Sequence, residues 1–326
     1  MSDIVLITGG LGYVGGRLAE HFLTRTGFRV RLGTRNPGQK TPPELAGCEL
    51  AHFDLESPAS LDAACNQVRF IIHLAALNEN DSAKYPDRAL EVNAGGTLKL
   101  VQSAIRAKVE RVLYFSTAHI YGAPLLGEIS EQVIPRPVHP YAYTHKAAED
   151  IVLAAGQEKK FTAIVFRLAN GFGPPIRAGV DRWTLLVNDL SRQAATQRQM
   201  VLKTAGLQPR NFITLDDVSR AAAHFLGLTE ASLGDGIFNI GGRSSLTILE
   251  MTERLAGRCE KGLGFRPPIQ RPAPVGPDER QTLHYSIAKA QAAGFQPADE
   301  FDLALDGTLQ FCWQAFAPES AGLTRE

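Results

Sequence analysis

The segment Thr8-Gly9-Gly10-Leu11-Gly12-Tyr13-Val14-Gly15 follows directly on the apolar run Ile4–Ile7 and opens a helical stretch at Arg17-Leu18-Ala19-Glu20. A glycine turn between strand and helix presents unpaired backbone N–H groups and the positive end of a helix dipole, which together suit a phosphate. Side chains on such a turn would hold a pyrophosphate away, and the last glycine lets helix and strand pack closely. In this strand–turn–helix context the spacing implies a bound dinucleotide, with Gly9, Gly12, Tyr13, Val14 and Gly15 around its phosphates. The end of the second apolar run discriminates between nicotinamide cofactors. A carboxylate there binds the adenosine ribose hydroxyls of NAD, whereas an arginine suits the 2′-phosphate of NADP. The run Phe28–Asn36 carries arginines and no acid, and Arg35 stands one residue past Thr34. NAD(P) is the expected cofactor, with NADP favoured over NAD. After a third short run, Phe53-Asp54-Leu55 places Asp54 and Leu55 where the aspartate can hydrogen-bond an adenine amine.

These residues need a scaffold that delivers them to one edge. Ile4–Ile7, Arg29–Gly33, Phe70–Leu74, Val112–Ser116 and Thr162–Arg167 are short apolar runs that read as buried strands. Between them, Arg17–Arg25, Gly96–Lys108 and Lys146–Ala155 have apolar residues at helical spacing. Alternation at this rhythm predicts an α/β fold, a doubly wound parallel (Rossmann) sheet that binds ligands outside the carboxyl ends of its strands. The composition changes near Gly173-Pro174-Pro175, and Pro and Gly cluster again over 262–277. Residues 1–175, with 210–230 returning, are therefore expected to form the dinucleotide-binding domain. Residues 176–326 are expected to form mainly a smaller, mixed substrate-binding cap.

Composition excludes several classes. The 326 residues are 44% hydrophobic and 21% charged, enough for a sizeable core without disulfides or a structural metal. Lys plus Arg equal Asp plus Glu at 34 each, so no basic surplus argues for a nucleic-acid partner. The four cysteines are far apart with no CxxC, so no metal site is expected and a reducing compartment is the default. The N-terminal segment has no basic n-region, and no run of about 18 apolar residues occurs, so neither a signal peptide nor a membrane span is expected. The expected location is cytoplasmic.

Six motifs in order give the chain a resemblance to the extended short-chain dehydrogenase/reductases, the superfamily of nucleotide-sugar epimerases and dehydratases. Thr8–Gly15 resembles its TGxxGxxG loop, and His73-Leu74-Ala75-Ala76 resembles the HLAA strand end that lies along the cofactor. Glu91–Thr97 is similar to the N-x-x-GT helix start, whose asparagine, here Asn93, borders the nicotinamide site. Phe115–Gly122 resembles SSxxVYG, Arg167–Pro174 resembles R-x-x-N-x-x-GP, and Arg210–Val218 resembles RDFI-x-VDDV. The resemblance implies a tyrosine as general acid/base, a Ser or Thr hydroxyl beside it, here Thr117, and a lysine. It also implies Asn170, Arg210 and Arg280 on the diphosphate of a nucleotide sugar, and a homodimer by analogy. Asp216 and Asp217 are expected to cap a helix.

The tyrosine motif departs from the pattern. The family reads P-Y-x-x-x-K-x-A-A-E, and this chain reads Pro140-Tyr141-Ala142-Tyr143-Thr144-His145-Lys146-Ala147-Ala148-Glu149. The gapless match makes Tyr141 the acid/base and places His145 in the lysine position, one helical turn away on the same face. Lys146 would stand about 140° around the helix. The other register pairs Tyr143 with Lys146 and breaks the match to Pro140 and Ala147-Ala148-Glu149. A histidine can bond the nicotinamide ribose but is largely neutral at pH 7, so it stabilises a phenolate less than lysine does. The dehydratase branch has an Asp-Glu pair after the hydroxyl residue, where Ala118-His119 stand here, so a 4,6-dehydratase is disfavoured. The expected activity is epimerisation of a nucleotide-diphosphate sugar. The alternatives are an NADP-dependent carbonyl reductase, suggested by Arg35-Asn36-Pro37, and a cofactor-binding protein with weakened catalysis, suggested by His145.

Overall fold

The computed structural model describes residues 2–274, 281–298 and 300–318. The apolar runs form strands β1 (Ile4–Thr8), β2 (Arg29–Thr34), β3 (Glu49–His52), β4 (Val68–His73), β5 (Arg111–Thr117) and β6 (Thr162–Leu168), joined by β7 (Ile237–Ile240). All neighbours pair in parallel, in the order β7-β6-β5-β4-β1-β2-β3. Strands with helices on both faces are buried on both sides, which is why they are near-continuously apolar rather than alternating. The chain winds one way through β2 and β3 and the other way from β4, so a crevice opens at the carboxyl ends of β1 and β4.

Helix α1 (Tyr13–Arg25) covers one face together with α5, Leu215–Gly227. The other face is covered by α2 (Pro58–Cys65), α3 (Gly96–Arg106) and α4 (Pro140–Gln157). Helices start where local chemistry permits. Ser57 accepts the Ser60 N–H ahead of Pro58, and His139 accepts the Tyr141 N–H at 3.2 Å ahead of Pro140. The α5 cap is Thr214, which accepts the Asp217 N–H at 3.1 Å. Asp217 is thus not the cap expected from sequence; its carboxylate binds the Ala298 N–H at 2.8 Å and Arg220. Strand β7 carries the return to the central layer beyond residue 230, so more of the C-terminal half belongs to the sheet than its sequence rhythm showed.

The remaining chain packs a third core around helices Leu186–Gln197, Ile248–Leu263 and Phe301–Phe316. It adds a three-stranded sheet, Ser245–Thr247, Pro209–Thr214 and Asn170–Phe172, and two short strand pairs. This part closes over the carboxyl edge of the central sheet. The Tyr13 hydroxyl crosses the junction, donating to the Gly173 carbonyl at 2.8 Å and to Asn188 Oδ1 at 3.0 Å.

One buried ion pair sets α4 on the sheet. Arg167 of β6 binds Glu149 through Nη2 at 2.5 Å and Nε at 3.3 Å, with side-chain exposures of 4% and 0%. Its Nη1 donates to the Tyr121 hydroxyl at 2.9 Å. Removing one member of such a pair strands an uncompensated charge. Glu149→Ala is expected to destabilise the fold by about 3–5 kcal/mol, seen as a lower urea midpoint at unchanged slope. A loss below about 1 kcal/mol would show that water or another carboxylate compensates Arg167.

Candidate active site

The glycine turn is built for close backbone approach. Gly9 takes φ +67°, a left-handed conformation that favours glycine, and its carbonyl accepts the Gly12 N–H at 2.9 Å. A Cβ at Gly15 would stand 2.2 Å from the Gly9 oxygen and 2.8 Å from Gly10 Cα, so only glycine lets α1 start there. Gly12 has no side-chain cap and the first turn of α1 has no acid, leaving its amides and dipole to an anion. Beside the turn, Thr8 Oγ1 accepts the Leu74 and Ala75 N–H groups, each at 3.1 Å, and contacts His73 Nδ1 at 2.7 Å. His73 Nε2 lies 3.0 Å from Thr97 Oγ1, and burial pushes its pKa down to about 3, so a neutral ring locks β1 to β4.

A cleft of about 510 Å³ runs across this edge. It is lined by Gly9, Gly12, Tyr13, Val14 and Gly15, by Arg35, Asp54 and Leu55, by Leu74, Ala75 and Ala76, and by Tyr141 and His145. Arg35 is exposed at the end of β2 and Asp54 Oδ1 accepts the Glu56 N–H at 3.0 Å. Two expectations change. The Tyr13 hydroxyl is spent on the Gly173 carbonyl and Asn188, so it is a strut between the two parts of the chain and offers a ligand no free hydroxyl. Asn93, on the π-helical turn Leu90–Gly95, does not line the cleft. Its Oδ1 accepts the Leu77 N–H at 2.8 Å and its Nδ2 donates to Thr144 Oγ1 at 3.0 Å, so it fastens the loop after β4 to α4.

In the same cleft the Tyr141 and His145 rings meet with centroids 4.3 Å apart and planes inclined by 57°. The Thr117 side chain, at the end of β5, favours the ionised Tyr141 phenol. Burial raises the phenol well above the ordinary tyrosine range; Glu79 adds to this, and Arg182 and Thr117 oppose it. His145 Nδ1 lies 2.7 Å from the Tyr114 hydroxyl, while its buried Nε2 has no hydrogen-bond partner. Burial lowers the His145 pKa to about 4, so the ring is neutral. Tyr143 is 40% exposed on another face, and Lys146 is engaged by Asp150 and, at 3.8 Å, by Glu149. The register that brings chemistry to the cleft is Tyr141 with His145.

A second cavity of about 530 Å³ includes Ala118, His119, Asn170, Arg210 and Tyr285 in its lining. Asn170 Nδ2 donates to the Asn211 carbonyl at 2.9 Å, which holds its amide in place. Arg210 is half-buried and forms no ion pair among the described residues. Arg280 lies outside the described residues. Sequence reasoning missed Asp181 and Arg182, which line the first cleft from the far side. Arg182 Nη1 is 2.7 Å from Glu79 Oε2, a pairing that joins positions 103 residues apart and leaves no periodic signal in either segment.

The dinucleotide fits what the residues offer: a turn that excludes a side chain at Gly15, free helix amides, and an unpartnered buried imidazole nitrogen on His145, a residue of the cleft lining. Comparisons agree. Residues 5–241 match the model of the NAD dependent epimerase/dehydratase family. The dTDP-D-glucose 4,6-dehydratase of Bos taurus is 31% identical over 195 residues, covering 58% of this chain and 51% of that protein. The chain thus spans about half the length of that relative. A UDP-glucose 4-epimerase of Streptomyces lividans is 26% identical over 273 residues, 78% of this chain and 80% of that one. The crystal structure of a Thermus thermophilus UDP-glucose 4-epimerase in complex with NAD superposes with a TM-score of 0.79 at 25% identity, covering 96% of this chain and 99% of that one.

A Cβ at Gly12 would meet only the Gly9 oxygen, at 3.1 Å, and Gly12 has an ordinary negative φ. Gly12→Val should therefore keep the fold while its side chain occupies the space of the pyrophosphate. Calorimetry is expected to show no dinucleotide binding by the folded variant. Unchanged affinity would place the cofactor elsewhere.

Proposed function

This chain belongs to the NAD dependent epimerase/dehydratase family, and we propose that it is an NAD(P)-dependent epimerase that inverts a carbinol centre on a nucleotide-diphosphate sugar. The observation that carries this reading is the contact of the Tyr141 and His145 rings, 4.3 Å apart between centroids, in the cleft that the glycine turn also lines. The second cavity, with Arg210 lacking a carboxylate partner among the described residues, suits a diphosphate, since a guanidinium binds phosphate oxygens in a fixed fork.

When bound, a nicotinamide supplies the hydride acceptor and then the donor. The chain's residues do the rest. Gly9, Gly12 and Gly15 admit the pyrophosphate to the α1 amides, and Asp54 and Leu55 border the adenine. His145 Nε2 holds a ribose hydroxyl, with Tyr114 fixing the ring through Nδ1. Thr117 steadies the substrate oxygen, and Tyr141 Oη takes its proton during oxidation and returns it during reduction. Asn170 and Arg210 hold the diphosphate so that the sugar can present either face. Arg35 binds the 2′-phosphate, which makes NADP the preferred cofactor. Residues 1–175, with 210–230 and strand β7, form the dinucleotide half, and the rest of 176–326 mainly the substrate half. Leu98 on α3 and Tyr143 on α4 are exposed apolar side chains, which supports a homodimer through these helices. The four buried cysteines form no disulfide, which supports a reducing, cytoplasmic location.

The test is a panel of nucleotide sugars with NAD or NADP, following both product stereochemistry and nicotinamide absorbance. Epimer should form with no net change in cofactor; stoichiometric consumption of NADPH would favour a reductase instead. Tyr141→Phe removes only a hydroxyl and should lower turnover by roughly 10²–10⁴-fold, with Tyr143→Phe within a few-fold of the parent. The opposite ranking would overturn the assignment of the acid/base.

Arg35→Ala should remove an NADP preference of about ten- to a hundredfold in affinity, the worth of one charge-assisted contact. Tighter binding of NAD than of NADP by the unaltered protein would defeat this assignment.

A further inference from the structure

His145 holds the position of the family's lysine and brings no charge to Tyr141. A cation in the same cleft comes from the distant segment between the strand Asn170–Phe172 and the helix Leu186–Gln197. This segment is strapped over the glycine turn. Arg177 Nη2 donates to the Leu11 carbonyl at 3.0 Å, and Tyr13 binds the Gly173 carbonyl. Asn188 Nδ2 donates to the Arg182 carbonyl at 3.0 Å, which fixes the backbone of the arginine. Arg182 thereby lines the same cleft as Tyr141 and His145, with Glu79 as its partner.

We propose that Arg182 is a positioning cation for Tyr141, supplying the charge that the lysine would bring, and that Glu79 sets how much of that charge the phenol receives. This rests on the reading of Tyr141 as the proton-transfer group. The charged and titratable groups around the phenol come from every packed element. His145 shares its helix, and His139 caps that helix through the Tyr141 N–H. Thr117 and Tyr114 come from β5, and His119 follows that strand. Glu79 begins the helix after β4, and Asp181 and Arg182 come from the strap. Among these, the histidines at 145 and 119 are held below their usual range by burial. Arg182 is the permanent cation in the set. Its field lowers the phenol and the Glu79 field raises it. The pair is therefore a dial: the two fields oppose each other, and loss of either leaves the other bare.

The signs give a test that a structural role would not pass. Ligand-free protein carrying a fluorinated tyrosine at 141, whose phenol is intrinsically more acidic, is titrated by fluorine NMR. The pH profile of turnover is measured in parallel on the cofactor-loaded enzyme. Glu79→Gln should move the Tyr141 midpoint down and Arg182→Gln should move it up, each by about 1 pH unit or more. The double variant should fall between the two single variants, and Arg182→Lys should retain the parent value. Midpoints that stay put, or that move the same way in both single variants, would overturn the proposal and leave the pair as a latch for the strap. Full turnover by Tyr141→Phe would instead overturn the assignment of Tyr141 on which the proposal rests.

Discussion

The buried ion pair between Glu149 and Arg167 fixes the rotation of α4, and the chemistry depends on that rotation. Tyr141, His145 and Glu149 recur every four residues and so share one helical face. At one end of the face Glu149 is clamped to β6. In the middle His145 meets Tyr114 on β5, and at the far end the Tyr141 hydroxyl meets Thr117 at the end of the same strand. A helix turned by one residue would break the ion pair, bury Lys146 and expose the phenol together. Arg167 is itself held by Tyr121, and the Tyr285 hydroxyl donates to the Arg167 carbonyl, so the C-terminal strand is part of the same anchor.

Electrostatics divide between the two parts of the chain. The sheet side supplies neutral, buried imidazoles: His73 ties β4 to Thr8 and Thr97, and His145 keeps one nitrogen free toward the cleft. The fixed charges near the phenol are on Glu79, next to β4, and Arg182, on the strap over α1. Proton transfer by a buried phenol near neutral pH is helped by a nearby cation, which favours the phenolate. The Glu79–Arg182 pair joins the segment over α1 to the helix that follows β4.

Much of this was legible in the sequence, for physical reasons. Apolar runs buried on both faces announce parallel strands, and the glycine spacing in its strand–helix context announces the turn. Helical periodicity was enough to put Tyr141 and His145 on one face and Lys146 off it. What escaped was non-local. Strand Ile237–Ile240 is only four residues long and gains its place by pairing with β6, so its run alone did not mark it as part of the central sheet. Asn93 matched its motif, but its amide is consumed by Leu77 and Thr144, which no spacing rule foresees. Tyr13 sits in the glycine turn yet sends its hydroxyl to Gly173, 160 residues away. Asp217 lost the cap to Thr214 because the threonine, at the end of the preceding strand, already stands at the N-cap with its hydroxyl on the Asp217 N–H.

In the proposed reaction one tyrosine hydroxyl takes and returns the substrate proton while the same carbinol carbon gives up and regains a hydride. The most direct measurement is the fate of deuterium placed on the carbinol carbon of a nucleotide sugar that the enzyme turns over. If the chain is an epimerase, the epimer retains the deuterium, and no reduced nicotinamide accumulates in solution. Deuterium found in free reduced cofactor, with a keto sugar released in equal amount, would contradict it.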